Sequence, residues 1–214
     1  MPLRENKRLL LGMDIDEMSS LCRSLGCNTL SGFHLAYGVY KQRVKSLVEI
    51  ERLKITDRMA ILNHADIGLI SPSKEVISKD GTKKYLFEYD DGKLIETAYI
   101  PDAKRKTLCI SSQCGCRMGC GFCSTGTIGF KGNLTTHEIV NQYSAIRESE
   151  EVTHLVIMGM GEPCDNVGEV IKAIKVFVSE WGYALGSKNI TISTVGLLPE
   201  ICRLIDETKC NIAI

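Results

Sequence analysis

The sequence predicts an α/β chain in which a parallel sheet with helical crossovers follows a small helical domain and a β-meander. Three observations carry this. Apolar residues in the first third recur at helical spacing. Residues 74–100 alternate in short runs broken by two Asp-Gly pairs. From Thr107 onward, apolar strand-like runs alternate with amphipathic helical ones.

In chain order, Asp14 is suited to cap a helix carrying Ile15, Met18, Leu21, Cys22 and Leu25 on one face, with Gly26 as its stop. A second helix is expected over Phe33–Val44. A third follows Thr56, with Met59, Ile61 and Leu62 as its apolar positions. These helices define a domain over residues 1–65. Its basic residues group at Arg4/Lys7/Arg8 and Lys41/Arg43/Lys45, either as solvated faces or as a grip for a polyanion. A hairpin and meander region spans 66–106, with strands at Glu75–Lys79, Lys83–Tyr89 and Lys93–Ile100. Asp80-Gly81 and Asp91-Gly92 read as type I′ turns, and Pro101 with Asp102–Lys106 reads as a linker.

Residues 107–214 read as strand Thr107–Ser112, helix Thr136–Arg147, strand Thr153–Met158, helix Val167–Trp181, strand Asn189–Thr194, helix Pro199–Glu207 and strand Cys210–Ile214. Strands joined by helical crossovers form a parallel sheet. The chemically interesting clusters fall at the C-terminal ends of those strands, where α/β folds place their sites.

Composition narrows the class. The 214 residues are 44% hydrophobic and 24% charged, which suits a soluble globular chain. Residues 1–108 carry 18 Lys/Arg against 15 Asp/Glu, net +3, and the remainder is net −3, so charge alone selects no partner. Ten cysteines, concentrated at 109–123, point to metal or redox chemistry in a reducing cytoplasm rather than to a disulfide framework. No apolar run approaches a membrane span, and Leu9-Leu10-Leu11 is too short for a secretory signal.

The decisive run is Cys116-Arg-Met-Gly-Cys120-Gly-Phe-Cys123. Three thiolates from one loop leave one iron of a 4Fe–4S cube without a protein ligand, whereas structural zinc and ordinary clusters are closed by four. The competing reading is a zinc site in a non-catalytic RNA adaptor, with Cys114 as the fourth ligand. The C-x3-C-x2-C spacing, with Phe122 before the last cysteine, resembles the radical S-adenosylmethionine signature. That resemblance implies that the open iron chelates the methionine moiety of S-adenosyl-L-methionine, whose reductive cleavage yields a 5′-deoxyadenosyl radical.

Further motifs sharpen it. Ile95-Glu-Thr-Ala-Tyr-Ile-Pro101, Cys109-Ile-Ser-Ser-Gln-Cys-Gly-Cys116, Cys123-Ser-Thr-Gly, Asn133-Leu-Thr, Gly159-Met-Gly-Glu-Pro163 with Asn166, and Ile192-Ser-Thr-Val-Gly196 with Pro199 occur in order. Together they resemble the radical S-adenosylmethionine methyltransferases that act on an adenine ring carbon of 23S rRNA. The resemblance is close over residues 80–214 and loose over the N-terminal helices.

It implies a partial radical SAM (β/α) barrel with Cys116, Cys120 and Cys123 on the cluster. Gly161, Glu162, Ser193 and Phe122 would lie at the cofactor. Glu96 would be a proton acceptor, and Cys109 a thiol that helps resolve a protein–RNA adduct and ends in a disulfide. It also implies methylation of adenine C2 (C8 is the alternative), tRNA as a second substrate, a flavodoxin or ferredoxin electron donor, and a monomer when full length. The family continues beyond Ile214 with a Ser-Leu-His segment and a methyl-carrying cysteine. A chain lacking them is expected to load a cluster but not to complete methyl transfer.

Overall fold

The computed structural model describes residues 7–89 and 91–214; Arg4 of the first basic group lies outside the described residues. Strand β1 (Arg8–Leu9) opens the helical segment of α1 (Ile15–Ser24), α2 (Ser31–Ala36) and α3 (Ile55–His64). Strand β2 (Ala65–Asp66) closes it by pairing parallel to β1. Helix α1 starts where expected because Asp14 and Glu17 satisfy each other: the Glu17 N–H donates to Asp14 Oδ1 at 2.8 Å, and the Asp14 N–H to Glu17 Oε2 at 2.9 Å.

The expected second helix departs from regularity. Helix α2 widens into a π-turn over Tyr37–Lys41, and Arg43 then adopts a left-handed conformation at φ 53°. That excursion seats Tyr40 against Trp181 and Tyr183, with ring centroids 5.8 and 5.4 Å away. The Tyr40 hydroxyl donates to the Met13 carbonyl at 2.6 Å. Arg43 turns inward, its guanidinium 5.4 and 5.3 Å from the ring centres of Tyr143 and Tyr183, and donates to Ser149 Oγ and Tyr143 Oη. Arg43 therefore docks the helices onto the sheet layer; it is not part of a solvated basic face.

The meander consists of β3 (Lys74–Ile77), β4 (Lys83–Glu88) and β5 (Leu94–Pro101), successively antiparallel. Its first turn is not type I′. Only Gly81 has positive φ (84°), and its N–H donates to the Ser78 carbonyl, so Lys79-Asp80-Gly81 is a type I turn ending in a left-handed glycine. Asp80 instead accepts from the Thr82 N–H and hydroxyl. The expected linker is also tighter: Asp102 donates to the Arg105 carbonyl, and β5 returns directly as the antiparallel neighbour of β6 (Lys106–Ile110). The meander is thus continuous with the parallel sheet.

After β6 come β7 (Gln113–Cys114), α4 (Ser124–Ile128), β8 (Gly132–Asn133), α5 (Thr136–Ser144), β9 (His154–Ile157), α6 (Val167–Val178), β10 (Ile190–Ser193), α7 (Glu200–Thr208) and β11 (Asn211–Ala213). The main sheet has the order β11-β10-β9-β6-β5-β4-β3, and its first four strands are mutually parallel. Leu108, Ile110, Leu155, Ile157, Ile190 and Ile192 are buried in a core shared with Ile139, Val140, Ile174 and Phe177 of the covering helices. Each such side chain contributes about 1.5–3 kcal/mol of burial. The intervening residues, including Thr107, Cys109, Val156 and Ser193, are only partly buried on the opposite face. One apolar cluster runs through helical segment and sheet alike. Among the described residues no helix is long and apolar enough to cross a membrane.

Because Arg43 is sandwiched and hydrogen-bonded, Arg43→Ala is expected to lower unfolding stability by about 2 kcal/mol. Lys41→Ala should change it by less than about 0.5 kcal/mol. Urea denaturation of both variants checks the contrast; equal effects would remove Arg43 from its docking role.

Candidate functional site

The site grows from the end of β6. Past Ile110 the chain runs through Ser111, Ser112 and Gln113, all buried; Ser112 is held through its backbone by Met160, Leu134 and Asn166, and the other two through their side chains. Ser111 Oγ donates to the Glu96 carbonyl at 2.7 Å and accepts from the Met160 N–H at 2.9 Å. Gln113 uses both ends of its amide. Its Oε1 accepts from the Glu162 N–H at 2.9 Å, while Nε2 donates to Asn133 Oδ1 at 2.8 Å and Asp165 Oδ2 at 2.7 Å. The ends of β6 and β9 are thereby locked together.

The three cysteines of the motif lie on the following loop, each half-buried, and Phe122 between them is 95% exposed. Burial raises the Cys116 thiol above its ordinary value, and the nearby charge of Glu162 and the Cys120 and Cys123 thiols add to the rise. Cys123 moves the other way, lowered chiefly by the Gly126 N–H. Cys114 faces elsewhere: it is 1% exposed and its thiol donates to the Leu94 carbonyl at 3.3 Å. The fourth ligand of the zinc reading is therefore committed to the meander. Among the described residues no three His, Cys, Asp or Glu side chains are gathered for a single metal ion. A cube takes each thiolate on a different iron, whereas a single metal ion needs its ligands gathered at one point.

Glu162 is not the exposed carboxylate that a strand-end loop suggests; it is 3% exposed. It accepts from the Cys164 N–H at 2.9 Å, the Val195 N–H at 3.0 Å and the Thr194 hydroxyl. Oε2 carries only one of these bonds and retains acceptor capacity. Gly161 has φ +105°, and a Cβ there would fall 2.6 Å from Gln113 Cβ, so its lack of a side chain admits Gln113. Ser193 sits on the partly buried face at the end of β10. The adjoining Thr194 is the residue that bonds Glu162 and lies 3.1 Å from Cys164 Sγ.

Glu96 and Cys109 share one face of the sheet. Thr97 points to the helix side, donating to Gln142 Oε1 at 2.8 Å, so Glu96 and Ala98 point away from it. Cys109 stands directly opposite Ala98. Glu96 is 60% exposed and 3.7 Å from Lys84 Nζ. Burial raises the Cys109 thiol, partly offset by the Met158 N–H. All ten cysteines are free.

A family model described as the radical SAM superfamily matches residues 110–213. The crystal structure of a radical SAM methyltransferase from Sphaerobacter thermophilus matches with a TM-score of 0.87 at 32% identity, over 96% of this chain and 62% of that one. Residues 110–213 carry a radical SAM domain. It is 42% identical over 205 residues to a probable dual-specificity RNA methyltransferase RlmN of Bacteroides fragilis, covering 96% of this chain and 60% of that protein. A like-named protein of Dictyoglomus turgidum is 39% identical over 212 residues, again covering 60% of its length. The chain thus spans about three fifths of these relatives. The radical SAM match implies a 4Fe–4S cluster and S-adenosylmethionine, and a soft three-thiol loop tied through Gln113 to the turn of a buried carboxylate fits that pair.

Arg117, Asp165 and Thr194 also belong to the site, although no motif singles them out in the sequence. Thr194 adjoins the chosen Ser193, and side-chain alternation was the signal that could have separated them. Thr194→Val keeps the volume but strips a buried acceptor of its donor, so a loss of about 2 kcal/mol in unfolding stability is expected. Ser193→Ala should cost less than about 0.5 kcal/mol. Thermal denaturation of the pair is the check, and a reversed order would contradict these assignments.

Proposed function

We propose that this chain is the cluster- and cofactor-binding part of an RNA methyltransferase that modifies adenine at C2 in 23S ribosomal RNA, with tRNA as a second substrate. The observation that carries the reading is that the three-thiol loop leaves the fold through Gln113, whose buried amide also accepts from the N–H of buried Glu162 at 2.9 Å. The names of the relatives support RNA as the substrate class. Cys116, Cys120 and Cys123 hold the cluster, and Glu162 accepts from the ammonium of S-adenosylmethionine through its remaining oxygen capacity. Gly161 fixes the turn that presents Glu162; Ser193 and Phe122 border the cofactor. When bound, the group supplies an electron for reductive cleavage of a sulfonium, chemistry that reaches a ring carbon whose C–H is not acidic.

The chain's own residues do the positioning. The Glu162 carboxylate is preoriented by Thr194 and two backbone donors, so it meets a cation without reorganising. Cys109 and Glu96 lie together on the open face, where a base entering past the strand ends meets a thiol and a carboxylate. Glu96 exchanges the proton in this scheme and Cys109 resolves the adduct. An acidic one-electron carrier, a flavodoxin or ferredoxin, is the proposed reductant.

Anaerobic reconstitution with iron and sulfide tests this directly. The wild-type chain should turn brown and retain iron on gel filtration, whereas Cys116→Ala, Cys120→Ala or Cys123→Ala should lose essentially all of it. Cys114→Ala should keep iron while losing about 1–2 kcal/mol of stability. A colourless zinc protein that also needs Cys114 would replace this reading with the adaptor.

A further inference from the structure

The cysteine loop leaves and re-enters the fold through a narrow neck. Strands β7 and β8 pair Gln113 with Asn133 and Cys114 with Gly132, and the Lys131 N–H donates to the Cys114 carbonyl at 2.8 Å. Gly115 packs directly against the Gly129 carbonyl, so outgoing and returning chains touch. Beyond this neck the loop's side-chain bonds stay local: Cys116 Sγ accepts from the Met118 N–H, and the Thr127 hydroxyl donates to the Ser124 carbonyl. Among the described residues of 116–128, Arg117 alone carries an ion pair or side-chain hydrogen bond that leaves the loop. Its Nε lies 2.8 Å from Asp165 Oδ2, and its guanidinium stacks 3.8 Å from the centre of the Phe130 ring.

Asp165 Oδ2 is the oxygen that also accepts from Gln113 Nε2 at 2.7 Å, and Gln113 Oε1 holds the Glu162 N–H. Asp165 further donates its own N–H to the Glu162 carbonyl at 3.1 Å. We infer that Arg117 is a positioning residue that sets the register of the cysteine loop against the Glu162 turn. It acts through Asp165 and Gln113 on one side and against Phe130 on the other. A neck alone fixes where the loop begins but leaves its tilt free. A planar guanidinium held edge-on by a carboxylate and face-on by a ring fixes that tilt. The consequence for function, which rests on the reading above, is that the cluster thiols and the carboxylate meeting the cofactor are held at one separation before either group binds. Both partners of Arg117 lie outside the three-cysteine ligand set, so it adjusts geometry without supplying a ligand.

The test uses the full chain with Arg117→Ala, Arg117→Lys, Asp165→Asn and the Arg117→Ala/Asp165→Asn double variant. Hydrogen exchange of residues 116–123, measured without metal, should accelerate about tenfold in Arg117→Ala and in Asp165→Asn. The double variant should be no faster than either single one, and Arg117→Lys should fall between wild type and Arg117→Ala. Reconstituted Arg117→Ala should retain its iron but bind S-adenosylmethionine about tenfold more weakly. Its cofactor-dependent change in electron paramagnetic resonance should broaden, and Arg117→Lys should restore part of both. Unchanged exchange in Arg117→Ala, or additive effects in the double variant, would overturn the inference whether or not the chain loads a cluster. Faster exchange with wild-type affinity and spectrum would reduce Arg117 to a merely structural contact and also overturn it. Failure of the wild-type chain to load iron would instead overturn the cluster reading, while the metal-free exchange still judges Arg117.

Discussion

The amide of Gln113 is the constraint on which the site depends. It lies buried just past the end of β6, between the two segments of the candidate site: the cysteine loop beyond it and the Glu162 turn at the end of β9. One side chain accepts from the Glu162 backbone and donates to Asn133 and Asp165, so it ties the return strand of the loop, the turn and the strand end together. An amide can do this because it presents an acceptor and two donors in one plane. A carboxylate or a hydroxyl in that place would leave a buried partner unpaired, at a cost of about 1–3 kcal/mol.

The rest of the fold makes that geometry rigid. Parallel strands buried under α5 and α6 give the strand ends a common level. The meander, joined through β5, adds Glu96 to the open face beside Cys109. The helical segment is clamped behind the layer by Tyr40, Arg43 and an ion pair between Glu17 and Lys172 at 2.6 Å. The N-terminal helices thus brace the site from the far side of the core.

Much of this was legible in sequence because it rests on local rules. The Asp14 capping box, the Thr135 cap of α5 and the alternation after Thr107 each follow from short-range patterns. The cysteine loop and Glu162 were legible because their order along the chain is itself a pattern. What was not legible depends on tertiary contact. Nothing near Arg43 announces a left-handed turn, since Tyr143 and Tyr183 lie far along the chain. Asp80-Gly81 supports more than one turn type, and the type adopted leaves the Asp80 carboxylate accepting from the Thr82 N–H and hydroxyl. Arg117 reads as an exposed loop cation until Asp165 and Phe130 are brought beside it.

The central claim is that three thiolates leave an iron open toward a cofactor whose ammonium is met by Glu162. Electron–nuclear double resonance on the reduced, reconstituted chain, with S-adenosylmethionine carrying ¹⁵N in its amino group, measures this directly. A ¹⁵N coupling to the cluster that is present in wild type and lost in Glu162→Ala is the predicted result. A reduced cluster with no such coupling at saturating cofactor would contradict the account.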